Sequence, residues 1–278
     1  MRYVAIGHIC EDVLPNGRAL GGTVTYSSLT ARALGWSTVA VTRARLDLDL
    51  ARLRSVDCVR AADAATTTFE NIYTESGRVQ ILHARAGTIQ PGDVPPEARR
   101  ADVVHLAPIA REIDEALIAL FDGVFVGVTP QGWMRQWNEA GRVYPREWIE
   151  AASILKRASA TVLSIDDIDG DWALVETWAS IARVLVVTQG PEGCTVFVSG
   201  RPQHVPAPQV LEVDPTGAGD VFAAAFFTRL RLGEDGIEAA RFANYLAARS
   251  VTRRGLSSIP TDQDVRECLA RPYTTMLK

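Results

Sequence analysis

The residues best suited to chemistry lie near the C-terminus, in Val213-Asp214-Pro215-Thr216-Gly217-Ala218-Gly219-Asp220, followed by the apolar run Val221-Phe222-Ala223-Ala224-Ala225-Phe226-Phe227. That run is apolar on every face, which predicts a buried helix with Gly-Ala-Gly at its start. A helix N-terminus carries unsatisfied N–H donors and a partial positive charge, and glycines let an anion come close to the backbone, so the segment is prepared for phosphate. An acid beside such a hole would repel a ligand that is merely bound. In phosphoryl transfer the same carboxylate, Asp220, can take the proton from an attacking hydroxyl while the amides stabilise charge on the phosphoryl oxygens. The plainer reading is a glycine turn with Asp220 as a helix cap. A dinucleotide fingerprint is excluded, because the third glycine of G-x-G-x-x-G would fall at Phe222, and no G-x-x-x-x-G-K-[ST] string occurs.

The elements that must position this segment follow from the hydrophobic pattern. Tyr3 to Ile9, Thr38 to Thr42, Val103 to Leu106, Val124 to Val128, Thr161 to Ser164 and Val184 to Thr188 are short runs rich in Val, Ile and Leu, and they predict buried strands. Between them, Tyr26 to Leu34, Glu112 to Leu120, Arg146 to Lys156 and Asp171 to Ile181 have helical spacing, and Gly35 stands where a helix C-terminus belongs. The alternation predicts an α/β chain with a mostly parallel sheet. Thr66 to Tyr73 and Arg78 to Ala84, around Glu75-Ser76-Gly77, predict an antiparallel hairpin outside that sheet. Cys194 to Val198 and Gln203 to Val205 predict a second hairpin at one sheet edge.

Composition narrows the class. Among 278 residues, 47% are hydrophobic and 22% charged, and the net charge is −4 with no basic block, so a nucleic-acid partner is not expected. Cys10, Cys58, Cys194 and Cys268 are far apart and form no metal-ligand spacing, which predicts reduced thiols and a cytoplasmic location. No signal peptide or membrane anchor is expected either, since no apolar run approaches ~18 residues. None of His8, His83, His105 and His204 is paired with a recognisable nucleophile.

The string Asp214-Pro215-Thr216-Gly217-Ala218-Gly219-Asp220 resembles the C-terminal signature of the PfkB, or ribokinase-like, carbohydrate kinases. The resemblance continues at Gly7, Asp12 and Gly21-Gly22 and runs from about Tyr3 to Thr261. It implies a three-layer α/β/α fold over residues 1–278, with a mostly parallel central sheet and a small β lid formed by about 14–20 and 66–84. It also implies Mg2+-dependent transfer of the γ-phosphate of ATP to a hydroxyl of a small sugar or polyol. In that scheme Asp220 is the base, and the amides of Gly217, Ala218 and Gly219 form the anion hole. A nucleoside or sugar-phosphate acceptor, and a catalytically silent relative that only binds ligand, are the alternatives. The resemblance allows a monomer or a homodimer.

Further positions follow from the same resemblance. Asp12, Gly21 and Gly22 would contact the acceptor; a carboxylate at the C-terminal end of a strand faces the crevice of an α/β sheet and can accept two hydroxyl hydrogen bonds. The family places Asn soon after Gly-Gly, whereas here Tyr26 follows, a form similar to a compact subgroup that includes myo-inositol kinases. Tyr26 is thus a candidate acceptor residue or a core residue of its helix. Arg135 is a further acceptor candidate. Ser164 and Asp167 stand where the family has Asn-x-x-Glu, which makes Asp167 the Mg2+ candidate; the acids around it also suit a solvated helix start. Thr188, Gly190 and Gly193, with Thr216 and Asn244, are the candidates for holding the nucleotide.

Overall fold

The computed structural model describes residues 1–74 and 77–270. In chain order the strands are β1 (Arg2–Ile6), β2 (Cys10–Leu14), β3 (Gly17–Gly21), β4 (Ser37–Ala44), β5 (Asp57–Ala62), β6 (Thr68–Thr74), β7 (Gly77–Ala84), β8 (Val103–Leu106), β9 (Phe125–Val128), β10 (Arg135–Trp137), β11 (Val143–Pro145), β12 (Ala160–Ser164), β13 (Val184–Thr188), β14 (Cys194–Val198) and β15 (Arg201–Val205). The helices are α1 (Thr23–Ala33), α2 (Ala151–Arg157), α3 (Trp172–Ala179), α4 (Ala218–Arg231), α5 (Gly236–Ser250) and α6 (Asp262–Ala270).

Nine strands form one sheet in the order β15-β14-β13-β12-β9-β8-β1-β4-β5. All neighbours are parallel except at the β13-β14-β15 edge, which is antiparallel as expected. One face packs against α1, α4 and α5, with Phe222, Phe226 and Phe227 fully buried. The other face is covered by α2, α3 and connecting turns, around Trp133, Trp148 and Trp178. Both faces being buried, the central strands have no polar alternation. The buried imidazole of His105 bonds to the Tyr3 hydroxyl and to Thr129 and lies edge-on to Phe227, so it ties α4 to the sheet.

Two expectations fail locally. Glu112 to Leu120 is not an α-helix: the Glu112 carboxylate is buried and accepts the amides of His8, Ile109 and Ala110, so the chain stays irregular there and turns only over Glu115–Phe121, as a 3₁₀ helix. The first strand also ends earlier than its apolar run. A side chain at Gly7 would sit 2.3 Å from the Ala107 carbonyl oxygen, and this close crossing leads the chain out of the large sheet.

It enters a second, four-stranded sheet, β3-β2-β6-β7, in which β2 and β6 are parallel. This sheet uses Cys10–Leu14 and Gly17–Gly21 as full strands, more than the 14–20 fragment expected. The turn expected at Glu75-Ser76-Gly77 falls mostly outside the described residues. His8 anchors the base of the sheet, with Nδ1 against the Thr67 hydroxyl and Nε2 against the Gly87 carbonyl. The hairpin β10-β11 leans on the outer strand, where the Leu82 amide donates to the Gly141 carbonyl at 2.8 Å.

Candidate active site

The site lies at the C-terminal ends of the parallel strands, where an α/β sheet opens a crevice. Its centre is the first turn of α4. Asp214 shapes the approach: its carboxylate accepts the amides of Thr216 and Gly255 and is held below the usual carboxylate range by those bonds, against the opposing pull of burial. Gly217 is in the left-handed region at φ 81°, and a side chain there would lie 2.3 Å from the Tyr26 ring. Tyr26 is therefore a prop beneath the glycine turn, buried at 3% exposure, rather than a side chain standing free in an acceptor pocket. Its phenol is pushed upward by burial and by Asp220, Asp12 and Asp214.

The amides of Gly217, Gly219 and Asp220 make no backbone hydrogen bond among the described residues, whereas that of Ala218 donates to the Pro215 carbonyl at 3.2 Å. The expected Gly-Ala-Gly hole is corrected accordingly: Ala218 is engaged, and the open donors are those on either side of it. Beyond its own turn, no described residue lies within 4 Å of the side-chain position of Gly219, so an anion has room.

Asp220 faces this space. Burial raises its carboxyl from the ordinary 3.8 to about 6, opposed by a hydrogen bond from Thr23 and the charge of Arg135, and reinforced by Asp167 and Asp12. A carboxylate so shifted is still ionised at neutral pH and is a stronger base than usual, which suits proton removal from a hydroxyl. Its main chain is tied to α1 through the Ser27 hydroxyl, 3.3 Å from the Asp220 carbonyl oxygen.

Asp12, Gly21, Gly22 and Arg135 gather on the side of the four-stranded sheet. Asp12 is within β2, opposite Ala19, not at the end of a central strand, because the chain changes sheets after Gly7. A side chain at Gly21 would fall 2.0 Å from Asp12 Oδ2, so the glycine makes room for this carboxylate. Gly22 is the N-cap of α1, with φ 89° and the His8 carbonyl oxygen 2.8 Å from where a side chain would begin. Arg135 follows the short 3₁₀ turn Pro130–Met134, and its guanidinium is 3.5 Å from the Ile109 carbonyl. Cys10, Phe69, Leu82, Ile109 and Ala110, with Trp137 and Val143 packed against them, form a small buried apolar cluster.

On the opposite side Asp167 accepts the Ser164 amide at 3.1 Å and the Gln131 side-chain amide at 2.9 Å. Each Asp167 oxygen keeps a lone pair, and the charge of Asp167 is felt at Asp220. Among the described residues no group of three or more His, Cys, Asp or Glu could hold a metal by itself. Mg2+, which favours oxygen donors, keeps several waters and binds through one or two carboxylates plus phosphate, fits such residues.

The other nucleotide candidates divide. Thr188 is at the end of β13, its hydroxyl bonded to the Leu163 carbonyl, with Gly190 in the exposed turn that follows. Thr216 lies in the approach to α4. Gly193 has a structural reason to be glycine: a side chain would meet the Val205 carbonyl oxygen at 2.2 Å. Asn244 is buried at 3% exposure and gives its amide to the Val205 carbonyl at 2.9 Å, so the backbone supplies a partner to this nucleotide candidate. It supports the strand end.

Sequence reasoning missed Thr23 and Gln131. Thr23 stands beside Gly21-Gly22 and Gln131 beside Pro130 and Gly132, so proximity to glycine was the one available signal. The carboxylates they serve are remote in the chain.

Residues 149–263 match the sequence profile described as pfkB family carbohydrate kinase. A cytidine kinase of Thermococcus kodakarensis is 26% identical over 80% of this chain and 86% of its own length. An inositol 3-kinase of Zea mays is 26% identical over 91% of this chain and 73% of its own. A solved pyrophosphate-dependent kinase in the ribokinase family, complexed with a pyrophosphate analog and myo-inositol, superposes with a TM-score of 0.78 at 21% identity, covering 95% of this chain and 99% of that one.

Proposed function

We propose that the chain is a pfkB-type carbohydrate kinase, a phosphotransferase with an alcohol group as acceptor, and that it transfers the γ-phosphate of ATP to a hydroxyl of a small polyol of the myo-inositol type. The observation that carries this reading is the juxtaposition of Asp220 with the open amides of Gly217 and Gly219 at the start of a buried helix. The acceptor side supports a polyol: Asp12 brings a carboxylate for paired hydroxyls and Arg135 brings guanidinium donors, next to a small apolar cluster.

In the proposed reaction Asp12 and Arg135 orient the acceptor between the four-stranded sheet, which acts as the lid, and α4. Asp220 removes the proton of the attacking hydroxyl. The Gly217, Gly219 and Asp220 amides stabilise charge on the transferring group. Asp167 would hold Mg2+ through water, and the ion would neutralise charge on the phosphates of the donor. Exclusion of water by the lid would protect the phosphoryl group from hydrolysis.

Pyrophosphate is a second donor worth testing, suggested by the pyrophosphate-dependent kinase that shares this fold and by the Asn244 side-chain nitrogen, which already donates to the Val205 carbonyl. The test is donor consumption over a panel of cyclitols, linear polyols, aldoses, ketoses and nucleosides, run once with ATP and once with pyrophosphate. A cyclitol or other small polyol is expected to give the highest kcat/KM, with ATP. Activity confined to nucleosides would overturn the acceptor class, and no turnover with either donor would overturn the enzymatic reading of this site.

The pH profile gives an independent check. Asp220 acts in its ionised form, so kcat/KM should fall as pH drops through about 6. Thr23→Val removes the hydrogen bond that favours the ionised carboxylate. The acid limb should then move to higher pH, read from kcat/KM between pH 5 and 9. A limb at the same pH in Thr23→Val and the unaltered enzyme would assign the titration to another group.

A further inference from the structure

We propose that Gln131 is a positioning residue for Asp167, supplying from the β9 side the amide that Ser164 cannot supply from β12; the inference rests on the kinase reading above. The physical problem is the freedom of a short acid. Asp167 caps its own 3₁₀ turn, and the Ser164 amide on Oδ2 restrains one oxygen only. With a single contact, rotation about the side-chain bonds would leave the second oxygen pointing in several directions. Gln131 Nε2, at 2.9 Å from Oδ1, occupies that second oxygen from a segment 36 residues away. The carboxylate is then held from two sides, near enough to Asp220 for its charge to be felt there.

The turn that carries Gln131 is itself fastened. The Gly132 amide donates to the Pro108 carbonyl at 2.8 Å, and a side chain at Gly132 would lie 2.4 Å from the Ile109 amide nitrogen. Only glycine permits this contact between the turns that follow β8 and β9. One small element thereby reaches both halves of the site, with Gln131 on Asp167 and Arg135 within the field of Asp220. Gln131 is not catalytic in this account: it touches neither donor nor acceptor and acts through the carboxylate.

The test uses the full-length protein with Gln131→Leu, the near-isosteric Gln131→Glu, Asp167→Ala and the double variant Gln131→Leu/Asp167→Ala. Two quantities are read: Mn2+ affinity by calorimetry in the presence of ATP or pyrophosphate, and the acceptor KM. Gln131→Leu should weaken Mn2+ binding roughly tenfold, with the acceptor KM unchanged. Gln131→Glu, which replaces the donor by a like charge, should weaken it further. In the double variant the loss should equal that of Asp167→Ala alone, since a residue acting through Asp167 has nothing left to position. Additive losses, a raised acceptor KM with unchanged Mn2+ affinity, no effect of either Gln131 substitution, or no Mn2+ uptake by the unaltered protein would each overturn the inference. Because calorimetry requires no turnover, a protein inactive on every acceptor yet showing the predicted pattern would sink the kinase reading and leave the role of Gln131 standing.

Discussion

Asp220→Asn should abolish most turnover while making the protein more stable. The amide keeps the shape of the carboxylate and can still accept from Thr23, but it cannot take a proton, so kcat should fall by roughly two to four orders of magnitude. The stability gain follows from the raised pKa. The folded state holds the proton more tightly than the unfolded one, with about 6 against the ordinary 3.8. This favours folding fully below 3.8, and the advantage is lost as pH rises through 6. At neutral pH the ionised group therefore costs the native state up to about 3 kcal/mol. Asn removes the charge and that cost, and Tm at pH 7.5 should rise by about 2 to 6 °C. At pH 4 the two proteins should differ much less. An Asp220→Asn protein with ordinary kcat, or one that melts lower at pH 7.5 than the unaltered enzyme, would contradict the placement of a strained base in this cleft.

Such opposed effects on rate and stability also indicate which features were legible before the structure. The start of α4 was legible because three small residues stand just ahead of an all-apolar run, a local pattern that needs no knowledge of the fold. The central strands were legible for the same reason, with β8 and β13 spanning the residues expected of them. What failed depended on tertiary contacts. The shift of Asp12 from a central strand to β2 is caused by a crossing of Gly7 over Ala107, a hundred positions apart in the chain. For Tyr26 the family resemblance left two readings, an acceptor contact or a core residue of its helix, and only the packing of its ring against Gly217, almost two hundred positions away, favours the second. Ala218 was expected to offer its amide, and only the backbone path from Pro215 consumes it.

Gly21→Ala should separate acceptor binding from folding more cleanly than removal of any charged residue. The new methyl would start 2.0 Å from Asp12 Oδ2 and 2.9 Å from its Cγ, distances that no packed structure sustains, so one partner must move. Gly21 is not in the left-handed region, so the backbone of β3 accepts alanine without strain. The Asp12 carboxylate is the end of a rotatable side chain, and it is the part that will swing away. Loss of a charge-assisted pair of hydrogen bonds to the acceptor should raise KM by roughly 10- to 100-fold, with Tm within about 2 °C of the unaltered protein. Gly22→Ala is the contrasting case. There φ is 89° and the nearest atom is the His8 carbonyl oxygen at 2.8 Å, which belongs to the backbone and cannot rotate out of the way. That variant should lose roughly 1 to 3 kcal/mol of stability, with Tm lowered and the entry to α1 displaced. If the two alanines behave alike, both lowering Tm with KM unchanged, then the glycine pair is only a structural corner and Asp12 does not hold the acceptor.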